Sequence, residues 1–254
     1  MTVIVSLLTD FGLTDTYVGQ MKASVLAVAP AATLVDLTHA VPPQDVFGGA
    51  FQLWSAVETV PPGSVHLAVV DPGVGSARRA VAARAARGDY FVGPDNGLLV
   101  PALDRLGGCV LAIELTRAEY WRAHPSGTFH GRDIFGPVAG HLASGEPLEK
   151  LGGQVSLLRP FELHLATGRR GQVIHTDAYG NLITNLAATV LPEVFTVRIA
   201  GRGVPRRPHY AAVQAGELLA LVGSSGLIEI SARNASAASV LGVRRGDPVE
   251  VEPR

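Results

Sequence analysis

Cysteine is nearly missing from this chain: Cys109 is the only one among 254 residues. No disulfide can form within the chain, which fits a reducing compartment and excludes a disulfide-stapled scaffold. Cys109 lies in the apolar run CVLAIEL, so a buried core thiol is expected rather than a nucleophile. There is no HExxH and no paired-Cys spacing, so no metal signature is present. An excess of one charge is also lacking, with 21 basic against 22 acidic residues and a net charge of −1. No block of like charges stands out, which argues against a nucleic-acid partner. The richest basic stretch, GRGVPRRPHY from Gly201 to Tyr210, reads as a solvated turn. The N-terminal MTVIVSLLTDFG lacks a basic leader, and its apolar run is too short for a signal peptide or a membrane span. A first buried strand and a cytoplasmic protein without membrane association are expected.

What is present is apolar. Hydrophobic residues make up 47% and charged residues 17%, the balance of a chain that folds. The first half alternates strand-like and helix-like segments. TVIVSLLTD, TLVDLTH, VHLAVVD and CVLAIEL read as strands. A helix starting near Thr14 and Asp15 carries the stripe Val18, Met21, Val25 and Leu26, and ends at Pro30. Further helices are expected over Phe47 to Val60 and Asp133 to Ser144. Fully apolar strands alternating with helices predict an α/β domain with a mainly parallel central sheet covered by helices on both faces. From Gly171 the segments are short and β-rich, separated by tight turns, which predicts a smaller barrel-like or sandwich-like domain. The expected organisation is an N-terminal domain over 1–155, a linker over 156–170 and a C-terminal domain over 171–254.

Three polar corners follow strands: TDFG, DPGVGS and GPDNG. Ligands bind at the carboxyl ends of parallel strands, so one shared site is expected there. Asp10 fits either a carboxylate gripping a ribose diol or an Asx-turn holding its loop. Asp71 and Arg78 stand seven residues apart across a Gly-rich turn and fit either a plain salt bridge or an activated pair, with Arg79 a competing partner. His130 in TFHGRDIFGP fits general acid–base work or a helix cap, and Asp133 a cap or a partner for Arg132. DAYGNLITN offers Asp177, Tyr179 and Asn181 within a turn, with amide and aromatic groups suited to reading or stacking on adenine. GSSGLIEISARN adds Ser225, Glu229 and Arg233.

Seven stretches in order resemble the S-adenosyl-L-methionine (SAM) hydroxide adenosyltransferases, also called SAM hydrolases, relatives of the SAM-dependent fluorinase and chlorinase. They are LLTDFGLTDTYVGQMK, VDLTHAVPPQDV, VVDPGVGSARR, FVGPDNGLL, FHGRDIFGPVA, HTDAYGNLITN and GSSGLIEIS. The resemblance implies hydrolysis of SAM to adenosine and L-methionine by an activated water that attacks the ribose C5′. It implies Asp71, Arg78 and His130 as the water-activating set, and Asp10, Asp15, Asp177, Tyr179, Asn181, Ser225 and Glu229 as substrate-binding residues. It further implies a homotrimer with the substrate between one subunit's N-domain and its neighbour's C-domain, and no metal or cofactor besides the substrate itself. Ala178 departs from relatives, which often carry a basic residue there. The halogenases have a longer N-domain with an inserted loop and lack the intact set. Other readings are a metal-dependent hydrolase using Asp10, Asp15, Asp71, Asp95 and His130, and a non-catalytic adenosine or SAM sensor.

Overall fold

The structure, a computed structural model, describes residues 2–161 and 163–253. Two compact units divide it, Met1–Glu162 and Leu163–Arg254. The first contains β1 (Ile4–Thr9), α1 (Tyr17–Val28), β2 (Thr33–Thr38), α2 (Val46–Ala56), β3 (Val65–Val69), β4 (Ala80–Ala85), β5 (Tyr90–Pro94), α3 (Val100–Arg105), β6 (Cys109–Leu115), α4 (Gly136–Ala143) and β7 (Gly152–Gln154). Its sheet runs in the order β2-β1-β3-β5-β4-β6-β7.

The sheet is mixed, which corrects the mainly parallel expectation. The pairs β1–β2, β1–β3 and β3–β5 are parallel. The pairs β4–β5, β4–β6 and β6–β7 are antiparallel. Connection length explains the difference. Residues 86–89 link β4 to β5 through a turn at Gly88, with φ of 100°. Four residues close a hairpin but cannot make the crossover that a parallel pair requires.

Helices cover both faces, and the strand alternation shows it. Val5 and Leu7 of β1 and Val65, Leu67 and Val69 of β3 pack with Met21 of α1 and Val138 of α4. Leu8 and Ala68 point the other way, against Leu53 of α2 and Leu103 of α3. A period of two along each strand thus supplies two separate cores. Helix α1 begins at Tyr17, later than the sequence suggests, and buries Val18, Met21 and Val25. Leu26 stays 37% exposed. Cys109 is exposed, not buried, because it opens β6 together with the exposed Val110, before that strand reaches the helical cover.

One polar network lies inside this core. The Ser6 hydroxyl meets His66 Nδ1 at 2.7 Å, and His66 Nε2 lies 3.4 Å from Asp89. Arg87 donates to both Asp89 oxygens at 2.7 and 2.8 Å, and to the carbonyls of Val57 and Val60. Burial pushes the Asp89 carboxyl up, but hydrogen bonds and charge from Arg87 and His66 outweigh it and bring it to about 2.

The second unit contains β8 (Arg170–Thr176), β9 (Leu182–Ala187), β10 (Phe195–Ile199), β11 (Arg202–Pro205), β12 (Leu218–Val222), β13 (Leu227–Ala232), α5 (Ala237–Leu241) and β14 (Pro248–Pro253). The strands form one antiparallel sheet in the order β11-β10-β14-β8-β9-β13-β12. Arg206 bridges to Ala220, with Arg207 N–H donating to the Ala220 carbonyl at 2.8 Å. That bridge links the two sheet ends and makes the sheet nearly a barrel. The basic stretch from Gly201 therefore supplies a closing strand, with Val204 buried inside, and is more than a solvated turn. Among the described residues, no helix is long and apolar enough to cross a membrane.

Candidate active site

Strands β1, β3 and β5 are parallel neighbours, so their carboxyl ends lie on one edge. This gathers the corners carrying Asp10, Asp71 and Asp95. Asn96 ties two of them together, donating from Nδ2 to the Val70 carbonyl at 2.8 Å.

A chain of three side chains crosses this edge. Arg78 Nε lies 3.0 Å from each Asp71 oxygen, and Arg78 Nη2 also donates to Asp71 Oδ2. Arg78 Nη2 meets His130 Nδ1 at 2.8 Å. A guanidinium can only donate, so Nδ1 accepts and carries no proton. The side chains of Arg78 and Asp71 are only 9% and 5% exposed. Burial and the neighbouring Arg78 cation pull His130 below the ordinary imidazole value, against the opposing pull of Asp71 and Asp133. His130 is therefore neutral at pH 7, with its Nδ1 lone pair accepting a hydrogen bond from a fixed cation. Arg79 is differently committed. It donates to Asp95 and to the Leu157 carbonyl, and Asp95 also accepts from Arg159 N–H at 2.7 Å. The two adjacent arginines serve different loops, and Arg78 is the one beside the histidine.

His130 stands just ahead of a π-helical turn, Gly131–Phe135, that leads into α4. Such turns are often found at functional sites. The Phe135 ring lies under the Arg78 guanidinium, 5.2 Å to its centre. Gly75 has φ of 76°, and a Cβ there would sit 2.3 Å from the Gly127 carbonyl oxygen, so only glycine lets the two loops meet. Phe11, Tyr17 and Phe129 form a triangle of edge-on rings with centroids 5.2 to 6.3 Å apart. It packs the His130 loop against the corner that holds Asp10. Asp10 is half-buried, and its Oδ2 accepts from Gln44 N–H at 2.8 Å. Asp15 is exposed in the turn ahead of α1.

The second unit has a cavity of about 650 Å³ lined by Tyr179, Asn181, Tyr210, Arg233, Asn234 and Ser236, among others. That is room for a nucleoside-sized ligand. Tyr179 is 82% exposed at its mouth, and Asn181 is buried in its wall. Asp177 accepts from the N–H groups of Tyr179 and Asn181 and from Asn181 Nδ2, so it builds the turn that presents them. Glu229 lies behind the wall. Its Oε1 accepts from the Tyr210 and Ser231 hydroxyls, both at 2.7 Å.

Residues 5–152 match the SAM hydroxide adenosyltransferase N-terminal domain, and residues 171–250 match the C-terminal domain of the same family. The chain belongs to this family. It is 44% identical to an (R)-S-adenosyl-L-methionine hydrolase of Thermus thermophilus, over 96% of this chain and 97% of that one. A fluorinase of Nocardia brasiliensis is 29% identical over 98% and 96% of the two chains. The crystal structure of an uncharacterized conserved protein from Thermotoga maritima superposes with a TM-score of 0.92 at 34% identity, covering 98% of this chain and all of that one.

Within this adenosyltransferase chain the structure brings together Asp71, Arg78 and His130 on one edge, with Asp10 on the neighbouring corner. Tyr179 and Asn181 line the cavity of the second unit, whereas Asp177, Ser225 and Glu229 are not among its lining residues. Ser225 is half-buried in the turn between β12 and β13. Sequence reading missed Tyr210, Asn234 and Ser236. Tyr210 lies at the end of the basic stretch, where charge obscured it. Asn234, with φ of 55°, had a usable signal, since Asn tolerates the left-handed turn that aims residues 233–236 into the cavity. Among the described residues, no group of three His, Cys, Asp or Glu is arranged to hold a metal.

Proposed function

We infer that this chain hydrolyses S-adenosyl-L-methionine to adenosine and L-methionine. The observation that carries the reading is the hydrogen-bonded chain Asp71–Arg78–His130, half-buried at the strand ends of a family member whose named relative is a hydrolase. Water attacks the ribose C5′ in line with the sulfur. The C5′–S bond breaks, and its electron pair stays on sulfur, which leaves as the neutral thioether of methionine. The leaving group needs no acid, so the task is to activate water. A water lodged alongside Arg78 and His130 would receive a hydrogen bond from the guanidinium, which favours hydroxide character. The His130 Nδ1 lone pair accepts from Arg78, so the water would displace that donor before Nδ1 takes its proton, and the imidazolium would then release a proton to solvent. Asp71 fixes the guanidinium plane through its paired hydrogen bonds. No step calls on a metal or cofactor.

In the same proposal Asp10 holds the ribose hydroxyls with Asp15 nearby, and the cavity of the second unit takes the adenine or methionine part. Asp177, Ser225 and Glu229 support that cavity. A cytoplasmic homotrimer would unite an N-terminal unit with a neighbour's C-terminal unit. Incubation with SAM and chromatography for adenosine and methionine together tests the activity, and unchanged SAM refutes it. The halogenase reading is tested by adding chloride or fluoride and looking for a 5′-halo product. The greater identity to the hydrolase than to the fluorinase favours water.

A further inference from the structure

The carboxylate of Asp133 is three residues beyond His130 and makes no hydrogen bond to Asp71, Arg78 or His130, yet it is only 2% exposed and surrounded by donors. Oδ1 accepts from Arg132 Nε at 2.7 Å and from Arg122 Nη1 at 3.3 Å. Oδ2 accepts from Arg132 Nη2 at 3.0 Å and from Ser126 N–H at 2.9 Å. The backbone of the same residue closes the loop a second time: Arg122 N–H donates to the Asp133 carbonyl at 2.9 Å, and Asp133 N–H to the Phe129 carbonyl at 3.2 Å. One residue therefore clamps both ends and the middle of the segment 122–133. Ser126, held by the carboxylate, is followed by Gly127, whose carbonyl abuts Gly75 in the loop of Asp71 and Arg78. The clamp sets two things at once: where His130 leaves the loop, and where that loop rests against the arginine loop.

We propose that Asp133 is a positioning residue for hydrolysis, registering the His130 loop against the Asp71–Arg78 loop through the Gly127–Gly75 contact. The proposal rests on the hydrolase reading above. The hydrogen bond from Arg78 to His130 tolerates little displacement, since misplacing a reacting group by about 1 Å can cost 10²-fold in rate. Asn in place of Asp133 keeps the shape but sets an amide N–H against donors, so two of the four contacts are lost whichever way the amide turns.

The test uses Asp133→Asn, Asp133→Glu and Gly75→Ala in the full-length protein. Asp133→Asn and Gly75→Ala are expected to lower kcat by about 10-fold or more, with KM for SAM within about 3-fold. Asp133→Glu, which keeps the carboxylate, is expected to recover part of the loss. An activity-free measurement accompanies them: the His130 imidazole nitrogen resonance, assigned by its absence from His130→Gln, should shift in Asp133→Asn without SAM present. Wild-type kcat in folded Asp133→Asn, or an unmoved His130 resonance, overturns the proposal. If Asp133→Asn does not fold, Gly75→Ala decides, and wild-type kcat in that variant overturns it. Absence of adenosine from the wild-type protein instead sinks the hydrolase reading, while the resonance still tests the clamp.

Discussion

Two Asp–Arg–His networks occupy the first unit, and they are built from the same residue types. Asp71, Arg78 and His130 lie beyond the carboxyl end of β3; Asp89, Arg87 and His66 lie near its start. Asp71 follows His66 by five positions, about 16 Å of extended chain. Each network has an arginine gripping both oxygens of an aspartate. The wiring then differs. His130 is attached to the arginine, whereas His66 contacts the aspartate with one nitrogen and Ser6 with the other. Accessibility differs as well: His66 and Asp89 are wholly buried, while His130 is half-exposed. An imidazole sealed in the core has no route to solvent, and it serves to hold strands together. One at a loop edge reached by solvent, held only by a hydrogen bond that a water can replace, can exchange a proton. The residue types do not decide the role; the connections and the route to solvent do.

The comparison breaks most visibly in stability. Asp89→Asn leaves Arg87 without its buried counter-charge, and removing one partner of such a pair costs about 3–5 kcal/mol. For a chain of this size the melting temperature should fall by roughly 6–20 °C. Turnover per folded molecule should stay unchanged well below the melt. Calorimetry beside an adenosine assay checks both. Because the Asp89 carboxyl sits at about 2 when folded, below its ordinary 3.8, its stabilisation is complete above the ordinary value and fades as pH falls toward 2. Acid melts of Asp89→Asn should lack that part of the loss.

Arg78→Ala and His130→Ala should invert the pattern. Turnover is expected to fall about 10²-fold or more, roughly 2.7 kcal/mol in the barrier, with a smaller change in melting temperature than Asp89→Asn produces. Near wild-type turnover in both variants would make the outer network structural like the inner one.

The pH profile sharpens the contrast further. Burial and the Arg78 cation hold His130 below its ordinary 6.5, so the imidazole stays neutral and active as pH falls through that value. Protonation lower down removes the acceptor and sets two cations face to face. The acid limb of kcat/KM should therefore lie below pH 6.5 and be absent from His130→Gln. A limb above 6.5 would contradict the placement of His130 beside Arg78.

Much of the outer network was legible in the sequence, and almost none of the inner one. Asp71 and Arg78 share one loop, and that loop follows an apolar strand, so spacing and position both carried a signal. The likeness to the adenosyltransferases added His130. Nothing comparable marked His66 and Asp89, which meet only because β3 and β5 pair, 23 residues apart in the chain. The alternating strands and the two-unit layout were readable from period and turn chemistry. The antiparallel half of the first sheet was not, because the direction of β4 depends on four linking residues rather than on the strand's own pattern. Tyr210 went unrecognised for a related reason: its local composition is basic and turn-like, and only the bridge from Arg206 to Ala220 brings that segment beside β12.

The smallest expected effect belongs to Arg79. Its side chain is 36% exposed, and its partner Asp95 keeps the N–H of Arg159 when the guanidinium is gone. Arg79→Gln should therefore cost about 1 kcal/mol or less in stability, as exposed ion pairs do. Turnover should stay within about 3-fold of wild type, because Arg79 donates to Asp95 and Leu157 rather than to the histidine. The residue still tests the whole comparison. Arg78 and Arg79 are neighbours with the same charge, so a long-range electrostatic role in activating water would be shared between them. A role through the directed hydrogen bond from Arg78 to His130 would not be. A loss in Arg79→Gln equal to that in Arg78→Ala would show that charge near the edge, rather than connection to the imidazole, drives the chemistry, and the distinction drawn between the two networks would fail with it.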